Sequence, residues 1–384
     1  MGAFANDVKK HLKSIDWILV ATVAISSIYG YVLIISSTNV LGAAQFRNLL
    51  VHIVAAVIGF ALMFALSKSD YNHMIKYSKY LYAFGVIILV FTYVFGKGDE
   101  VGNRSWIRVH IAGTTVGGQP SEIVKITFIM TFARHLESVK DDINKIKNIL
   151  LLGLHFAVIF GLIIIEGDLG TALVYTFIFI SMCFAAGVSL WYFLAALFAA
   201  AVASPLIWNL MEDYQRKRIL VGFDPSLDPA DKGFQALTSR RAIGSGGLLG
   251  AGYGKGYYTQ RGIIPKQWTD FIYSAAGEEF GFVGAILVLA LLAVVISRVF
   301  VISCKARNTA GSLICIGVMA MLIAHTVENI GMCLGLLPVI GIPLPFFSYG
   351  GSSILSSLLA IGIVLSVNSR RNIYYFTRDE NFEK

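Results

Sequence analysis

The sequence predicts an all-α, polytopic membrane protein of about ten transmembrane helices, with both termini cytoplasmic and one large extracellular loop. Three observations carry this expectation. Hydrophobic residues make up 56% of the 384 positions and charged residues only 14%, against roughly 25% charged in a soluble domain. The mean hydropathy is +0.71. The apolar residues fall in long unbroken runs, not in the alternation of a transmembrane β-barrel. So little charge excludes a cytosolic enzyme, and so apolar a chain is not disordered.

The elements follow in order. Lys9, Lys10 and Lys13 precede a first run over 17–38. That run is longer than a signal-peptide core, and no small-residue cleavage site follows, so it reads as a retained first span. Met1-Gly2 opens like a myristoylation signal, but Asn6 stands where Ser or Thr is required. A span needs about 20 apolar residues. The further runs are 49–67, 80–96, 121–136, 149–165, 169–187, 190–210, 280–302, 311–337 and 348–367. The run 121–136 is the weakest, because it is short and holds Glu122, Lys125 and Arg134. A surface helix is the alternative there. The spans on either side nevertheless need a crossing between them to keep the loop charges consistent.

Orientation comes from the short loops. Lys68, Lys76, Lys79, Lys140, Lys145, Lys147, Arg298, Lys305, Arg307, Arg370, Arg371 and Arg378 fall on the same side as the N-terminal lysines. The other side holds little beyond Arg47, Lys97, Arg104 and Arg108 in its short loops. Cationic loops stay cytoplasmic, which places both termini inside. The chain is one membrane domain over 1–384, with a large outer loop at 211–277.

That loop is basic, carrying Arg216, Lys217, Arg218, Lys232, Arg240, Arg241, Lys255, Arg261 and Lys266. Long loops translocate largely regardless of charge, so the topology stands and the charge needs another use. Gly244, Gly246, Gly247, Gly250, Gly252, Gly254 and Gly256 crowd the same segment. Glycines let a backbone approach a ligand closely, and cations with exposed amides suit a phosphate or diphosphate. A flexible tether with scattered surface lysines is the plain alternative. Net charge is +8, and nothing in its pattern points to nucleic acid. Cys183, Cys304, Cys315 and Cys333 form no CxxC pair and read as small packing residues. The histidines show no metal-ligand spacing.

Several polar groups interrupt the apolar runs. Glu122 and Lys125 are three apart and share a helix face. They read either as a charge lock between helices or as an ion or substrate path. Asp168, before Gly170 and Thr171, reads as a helix cap with room for substrate contact. His325 and Glu328, near Asn329, are equally a functional pair or a satisfied interhelical contact. Asp270 lies in Trp268-Thr269-Asp270-Phe271, at the end of the basic loop and just before a span. A carboxylate there, among fixed cations, suits a general base. From spacing alone it equally reads as a solvated loop acid.

Taken together, these segments become specific. Gln119-Pro120-Ser121-Glu122 with Lys125, Asp168-Leu169-Gly170-Thr171-Ala172 and Ala242-Ile243-Gly244-Ser245-Gly246-Gly247 resemble motifs of the SEDS family (shape, elongation, division and sporulation proteins). Thr269-Asp270-Phe271-Ile272 with Gly277-Glu278-Glu279 is similar to its outer-loop block. Pro338, Gly341-Ile342-Pro343-Leu344-Pro345-Phe346 and Ser348-Tyr349-Gly350-Gly351-Ser352-Ser353 resemble its C-terminal signature. Two positions depart from the pattern. Ser105 separates Arg104 from Trp106, and Glu166-Gly167 precedes Asp168 where the family has Gln-Pro or Glu-Pro. Asp16-Trp17 and Tyr214-Gln215-Arg216 with Arg218-Ile219 lean toward the elongation (RodA) branch over the division (FtsW) and sporulation (SpoVE) branches.

The resemblance implies a peptidoglycan glycosyltransferase of the bacterial plasma membrane. It would polymerise lipid II into glycan strands and release undecaprenyl diphosphate, with Asp270 as the essential acid. Arg216, Arg218, Arg240, Lys255 and Lys266 are the candidate cations for the leaving diphosphate. Trp106, Glu122, Lys125, Asp168, Ser348 and Ser352 are further candidate substrate contacts within the motifs. No metal cluster is evident, and a divalent cation, Mg or Mn, is the one cofactor the chemistry admits. The polyprenyl tails require a lipid-facing groove among the spans. A lipid II flippase and a non-catalytic scaffold are the rival classes. The expected partner is a class B penicillin-binding protein, the transpeptidase, within the elongation or division machinery. Its span would dock on the small residues of the last two spans, Gly311, Ser312, Gly317, Gly331, Ser356, Ser357, Ala360 and Gly362. Packing inside the bundle is the alternative for these residues.

Overall fold

The computed structural model describes residues 12–96, 104–111, 114–228 and 231–371. Lys9, Lys10, Lys97 and Arg378, and the residues of the acylation-like opening, lie outside the described residues. So do the side chains of Tyr214, Gln215, Arg218 and Lys232.

Each predicted apolar run falls on a helix, although the last two helices respectively end at Cys333 and start at Gly351, short of the predicted 337 and 348. In chain order the helices are α1 Trp17–Thr38, α2 Ala43–Lys68, the short α3 Tyr71–Lys76, α4 Ser78–Phe95, α5 Pro120–Ser138, α6 Ile146–Ile165, α7 Leu169–Ala185 and α8 Leu190–Leu210. After the loop come α12 Ile272–Cys304, α13 Thr309–Cys333 and α14 Gly351–Arg370. Seven of the described helices, α1, α2, α4, α6, α12, α13 and α14, are long and apolar enough to cross a membrane; α7 and residues 190–206 of α8 are shorter apolar helices. Helix α5 is neither, yet it is not a surface helix. Thirteen of its residues are buried, Glu122 and Lys125 among them.

Local chemistry sets the helix starts. Asp16 caps α1, its carboxylate accepting from the Leu19 amide at 3.1 Å and pairing with Arg298 of α12. A cap of this kind contributes about 1 kcal/mol. Asn308 caps α13 through the Gly311 amide at 2.9 Å, and Pro120 opens α5, where its missing N–H costs nothing.

Helix α13 is the centre of the bundle, packed between α5, α7, α12 and α14, while α2 runs along α14. The small residues of the last two spans make this possible, and they face inward. A Cβ on Gly362 would lie 2.9 Å from the Met63 backbone, and one on Gly317 would lie 2.6 Å from Ile129 and 2.8 Å from Met182. Gly311 meets Tyr71 and Gly331 meets Leu337 in the same way. Ser312 bonds Ser303, Ser356 bonds Glu122, and Ser357 and Ala360 are buried. The outward docking face expected there is therefore corrected: without Cβ bulk, helices inside this bundle approach closely, and the face is already filled.

The longer segments between the helices carry their own structure. Ile107–Ile111 (β1) pairs antiparallel with Thr114–Gly118 (β2), a hairpin that the all-α expectation lacked. The basic loop folds into α9 Asp213–Phe223, α10 Lys232–Ser245 and α11 Tyr257–Gln260, and is no tether. Helix α12 starts eight residues before the predicted span, at Ile272, and breaks at Gly281, which has φ +65°. The glycine turn 246–252 bonds four of the backbone groups at the break. The Glu278 and Glu279 carbonyls accept from the Ala251 and Gly252 amides at 2.9 and 3.0 Å, and the Phe282 and Val283 amides donate to the Gly247 and Leu248 carbonyls at 2.8 and 3.2 Å. A Cβ on Gly281 would sit 2.4 Å from the Gly250 nitrogen, and one on Gly250 would sit 2.1 Å from the Glu279 carbonyl oxygen. The turn is spliced into the helix, and only glycine fits at the splice.

Candidate functional site

Asp270 sits in a tight turn just before α12. Lys266, in the left-handed region at φ +52°, presents its carbonyl to the Thr269 and Asp270 amides, both at 3.1 Å. A non-glycine residue there carries backbone strain of about 1 kcal/mol. The C-terminal signature loop then grips the turn from the side. The Ser348 hydroxyl donates to the Thr269 carbonyl at 2.6 Å and accepts from the Leu344 amide at 2.8 Å. The Tyr349 amide donates to the Trp268 carbonyl at 2.8 Å.

Asn329 of α13 completes the grip from below. It is fully buried, and its amide nitrogen donates to the carbonyls of Asp270 and Ile342, both at 2.7 Å. An amide NH₂ has two hydrogens, and each has a carbonyl. Gly341, at φ +84°, faces the carboxylate, and a Cβ there would lie 3.3 Å from Asp270 Oδ2. The two outermost motifs, far apart in sequence, thus form one frame around Asp270.

A second polar group lies deeper, in the bundle. The Lys125 ammonium donates to Glu122 Oε1 at 2.6 Å and to His325 Nε2 at 2.8 Å. Ser356 donates to Glu122 Oε2 at 2.8 Å, and His325 Nδ1 lies 3.2 Å from the Pro343 carbonyl. An ammonium has only donors, so Nε2 accepts and Nδ1 carries the proton toward Pro343. This column joins α5, α13, α14 and the signature loop. Glu122 and Lys125 form a buried lock, and His325 belongs to it.

Asp168 caps α7 as expected, accepting from the Thr171 amide at 3.0 Å and the Thr171 hydroxyl at 2.8 Å. It also accepts from the Gln119 side-chain amide at 2.6 Å, while the Gln119 backbone N–H donates to the Ser352 hydroxyl at 3.1 Å. Three motifs therefore meet at Gln119. Glu166 stands beside them, buried, and neither of its carboxylate oxygens has a hydrogen-bond partner among the described residues. Burial first, and the charge of Asp168 second, push its pKa up to about 8. Burial also raises the pKa of Asp168, against the pull of its Thr171 bonds.

The remaining candidates divide. Arg240 lies against Gly335 at the end of α13, and the side chains of Arg240, Lys255 and Lys266 are exposed. Arg216 is engaged by the end of α8, donating to the Trp208 and Asn209 carbonyls, both at 2.8 Å. Arg218 lies on α9, with its side chain outside the described ones. Trp106 packs its ring on Gly117 of the hairpin. The acids of the Gly277-Glu278-Glu279 motif are fasteners. Glu278 accepts from the amides of Tyr258 and Thr259 and from the Thr259 hydroxyl, at 2.6 to 2.9 Å. Glu279 accepts from Ser36 at 2.7 Å and Gln260 at 2.9 Å. Among the described residues, no group of three or more His, Cys, Asp or Glu side chains is placed to hold a metal ion.

Sequence reasoning left Asn329 and Gln119 without a role. Asn329 has a readable signal, an amide in a 25-residue apolar helix. Gln119 lies inside the Gln119-Pro120-Ser121-Glu122 motif, where the charged pair beyond it is the stronger signal.

Residues 16–373 match the family model described as cell cycle protein, which covers FtsW, RodA and SpoVE. The chain is 32% identical over 373 residues to a probable peptidoglycan glycosyltransferase FtsW of Geobacter sp. (strain M18), covering 94% of this chain and 98% of that one. It is 34% identical over 322 residues to the peptidoglycan glycosyltransferase MrdB of Escherichia coli (strain K12), covering 82% and 84%. Its fold matches a chain of a peptidoglycan synthase complex that coordinates polymerization and crosslinking, with a TM-score of 0.79, 30% identity, and 94% and 99% coverage. It matches the rod shape determining protein RodA of Thermus thermophilus with a TM-score of 0.69, 28% identity, and 93% and 97% coverage. The chain belongs to the FtsW/RodA/SpoVE family and is an integral-membrane peptidoglycan glycosyltransferase.

Proposed function

We propose that this chain polymerises lipid II with Asp270 as general base, in the service of cell elongation. The observation that carries the reading is the frame around Asp270. Its backbone is fixed through Ser348, Tyr349 and Asn329, while Gly341 keeps the space before its carboxylate open. Positioning of this kind is what general-base chemistry needs.

Asp270 takes the proton of the acceptor sugar hydroxyl. That oxygen forms a bond to the anomeric carbon of the donor, and the bond from that carbon to the diphosphate oxygen breaks. A single displacement turns the α-linked donor into a β-1,4 glycan. The leaving undecaprenyl diphosphate gains negative charge, which exposed Arg240, Lys255 and Lys266 offset. Helix α8, exposed along nearly its whole length, supports a lipid-facing groove at its side for the polyprenyl tails.

Asp16-Trp17 favours the elongation branch over division or sporulation. Cross-linking falls to a class B penicillin-binding protein, a reading supported by the fold match to a synthase complex. Purified Asp270→Asn with labelled lipid II is the test. No glycan should form while insertion and folding stay intact; synthesis at the wild-type rate would refute the assignment. Movement of lipid II across vesicles without product would establish the flippase class instead.

A further inference from the structure

The glycine turn spliced into α12 carries two leucines that its fold does not use. The turn is held by backbone hydrogen bonds and close glycine contacts. Leu248 and Leu249 leave 73% and 80% of their surface exposed, the second among the most exposed large apolar side chains of the molecule. They stand next to Phe282 and Val283, whose amides the turn caps and which are themselves exposed. Ile286 and Leu287 continue this apolar strip along α12.

The depth of the turn follows from helix geometry. Residues 282–304 rise about 33 Å at 1.5 Å per residue, which matches a hydrocarbon core of ~30 Å. The Asp16–Arg298 pair and Lys305 place one boundary between residues 298 and 305. The Gly281 break therefore lies at the opposite boundary, on the Asp270 side. The turn leaves the helix at that level. Polar and aromatic residues follow the leucines at once: Tyr253 packs on Phe280 with centroids 6.2 Å apart, and Arg261 lies over the Tyr257 ring at 3.9 Å. Aromatic rings with a cation beside them populate the headgroup level of membrane proteins.

We infer that the 246–252 turn is a membrane wedge. Leu248 and Leu249 insert into the acyl region of the leaflet on the Asp270 side, with Tyr253, Lys255 and Tyr257 at headgroup height. The observations favour lipid over a protein occupant because the leucines extend a lipid-length helix surface without a break. The wedge holds Lys255 at the level where a lipid diphosphate lies. The insertion itself stands whether or not Asp270 is the base.

Site-directed spin labelling in nanodiscs of phosphatidylethanolamine and phosphatidylglycerol tests it. The background is Cys304→Ser, since the other three cysteines are buried. Labels go on Leu248→Cys and Leu249→Cys, with Phe282→Cys as the lipid reference and Leu227→Cys, exposed in the loop, as the aqueous reference. Retained polymerisation by each labelled protein verifies folding. At 248 and 249 the label should collide with oxygen several-fold more often than with a water-soluble nickel chelate, as at 282. A pattern like that of 227 overturns the wedge. Low accessibility to both reagents in the isolated protein also overturns it, because it means that a second copy of the chain covers the leucines.

Discussion

Replacing Glu122 by alanine should destabilise the protein more than replacing both Glu122 and Lys125. Lys125 has no solvent exposure and Glu122 has 3%. In the single variant the hydrogen-bond partner left to the ammonium is the neutral His325 imidazole at 2.8 Å. An ion left unpaired in such a place costs about 3–5 kcal/mol. In the double variant the surviving partners are still provided for. Ser356 keeps its bond to the Ser353 carbonyl at 3.1 Å, and His325 keeps Pro343 at 3.2 Å. The remaining loss is a few neutral hydrogen bonds of about 1 kcal/mol each, in a polar cavity that water can enter. The measurement is thermal unfolding of both variants in the same detergent, followed by tryptophan fluorescence. A double variant that melts at or below the single would refute the reasoning. A double variant that melts high but makes no glycan would assign the pair a role in substrate handling beyond the lock.

Asn329→Leu keeps the shape of the side chain and strips a donor from each of two carbonyls. Polymerisation should fall by roughly 10²-fold through misplacement of Asp270, with a smaller drop in melting temperature; unchanged turnover in a lipid II assay would mean that Ser348 and Tyr349 suffice. Gly281→Ala places a Cβ 2.4 Å from the Gly250 nitrogen at φ +65°, so the spliced turn should detach and become a site of rapid protease cleavage between 246 and 256. Glu166→Gln tests the buried carboxyl at about pH 8. Its folded pKa is raised above the ordinary 4.5, so wild-type stability is full below that value and is lost as pH rises through 8. The ceiling on that loss is roughly 4–5 kcal/mol. The glutamine variant should show a flatter melting temperature from pH 5 to 9, and parallel curves would contradict the burial argument.

The helical runs were legible because a lipid-length apolar run admits one solution for its backbone. The boundaries 17–38 and 190–210 match the structure at both ends. Helix α5 was harder, since its charges are hidden by partners 200 or more residues away, His325 and Ser356. The start of α12 was missed because nothing local in 272–280 reports that a distant turn will cap a break at Gly281. The residues framing Asp270 were visible as motifs, but their geometry was not. Ser348 and Asn329 act on backbone carbonyls, and carbonyls leave no trace in composition. The hairpin at 107–118 was lost for a similar reason: two short strands in a loop bury too little to pattern the sequence.

The Glu122–Lys125–His325 column also bears on ion leakage. A chain of titratable groups inside a bilayer is a potential proton wire, and an energised membrane tolerates no such short circuit. Here the path stops on one side. The Nδ1 proton of His325 points at the Pro343 carbonyl, which accepts a hydrogen bond but has no proton to hand on. A second proton on the imidazole would set two cations 2.8 Å apart. On the far side of Lys125, Phe128 and Phe132 are buried and pack on His155, which lies within hydrogen-bond distance of Thr131 and His135. The charged keystone thus shares α5 with His135 of a second titratable pair, and the rings of Phe128 and Phe132 pack on its partner His155 along the stretch of helix between them.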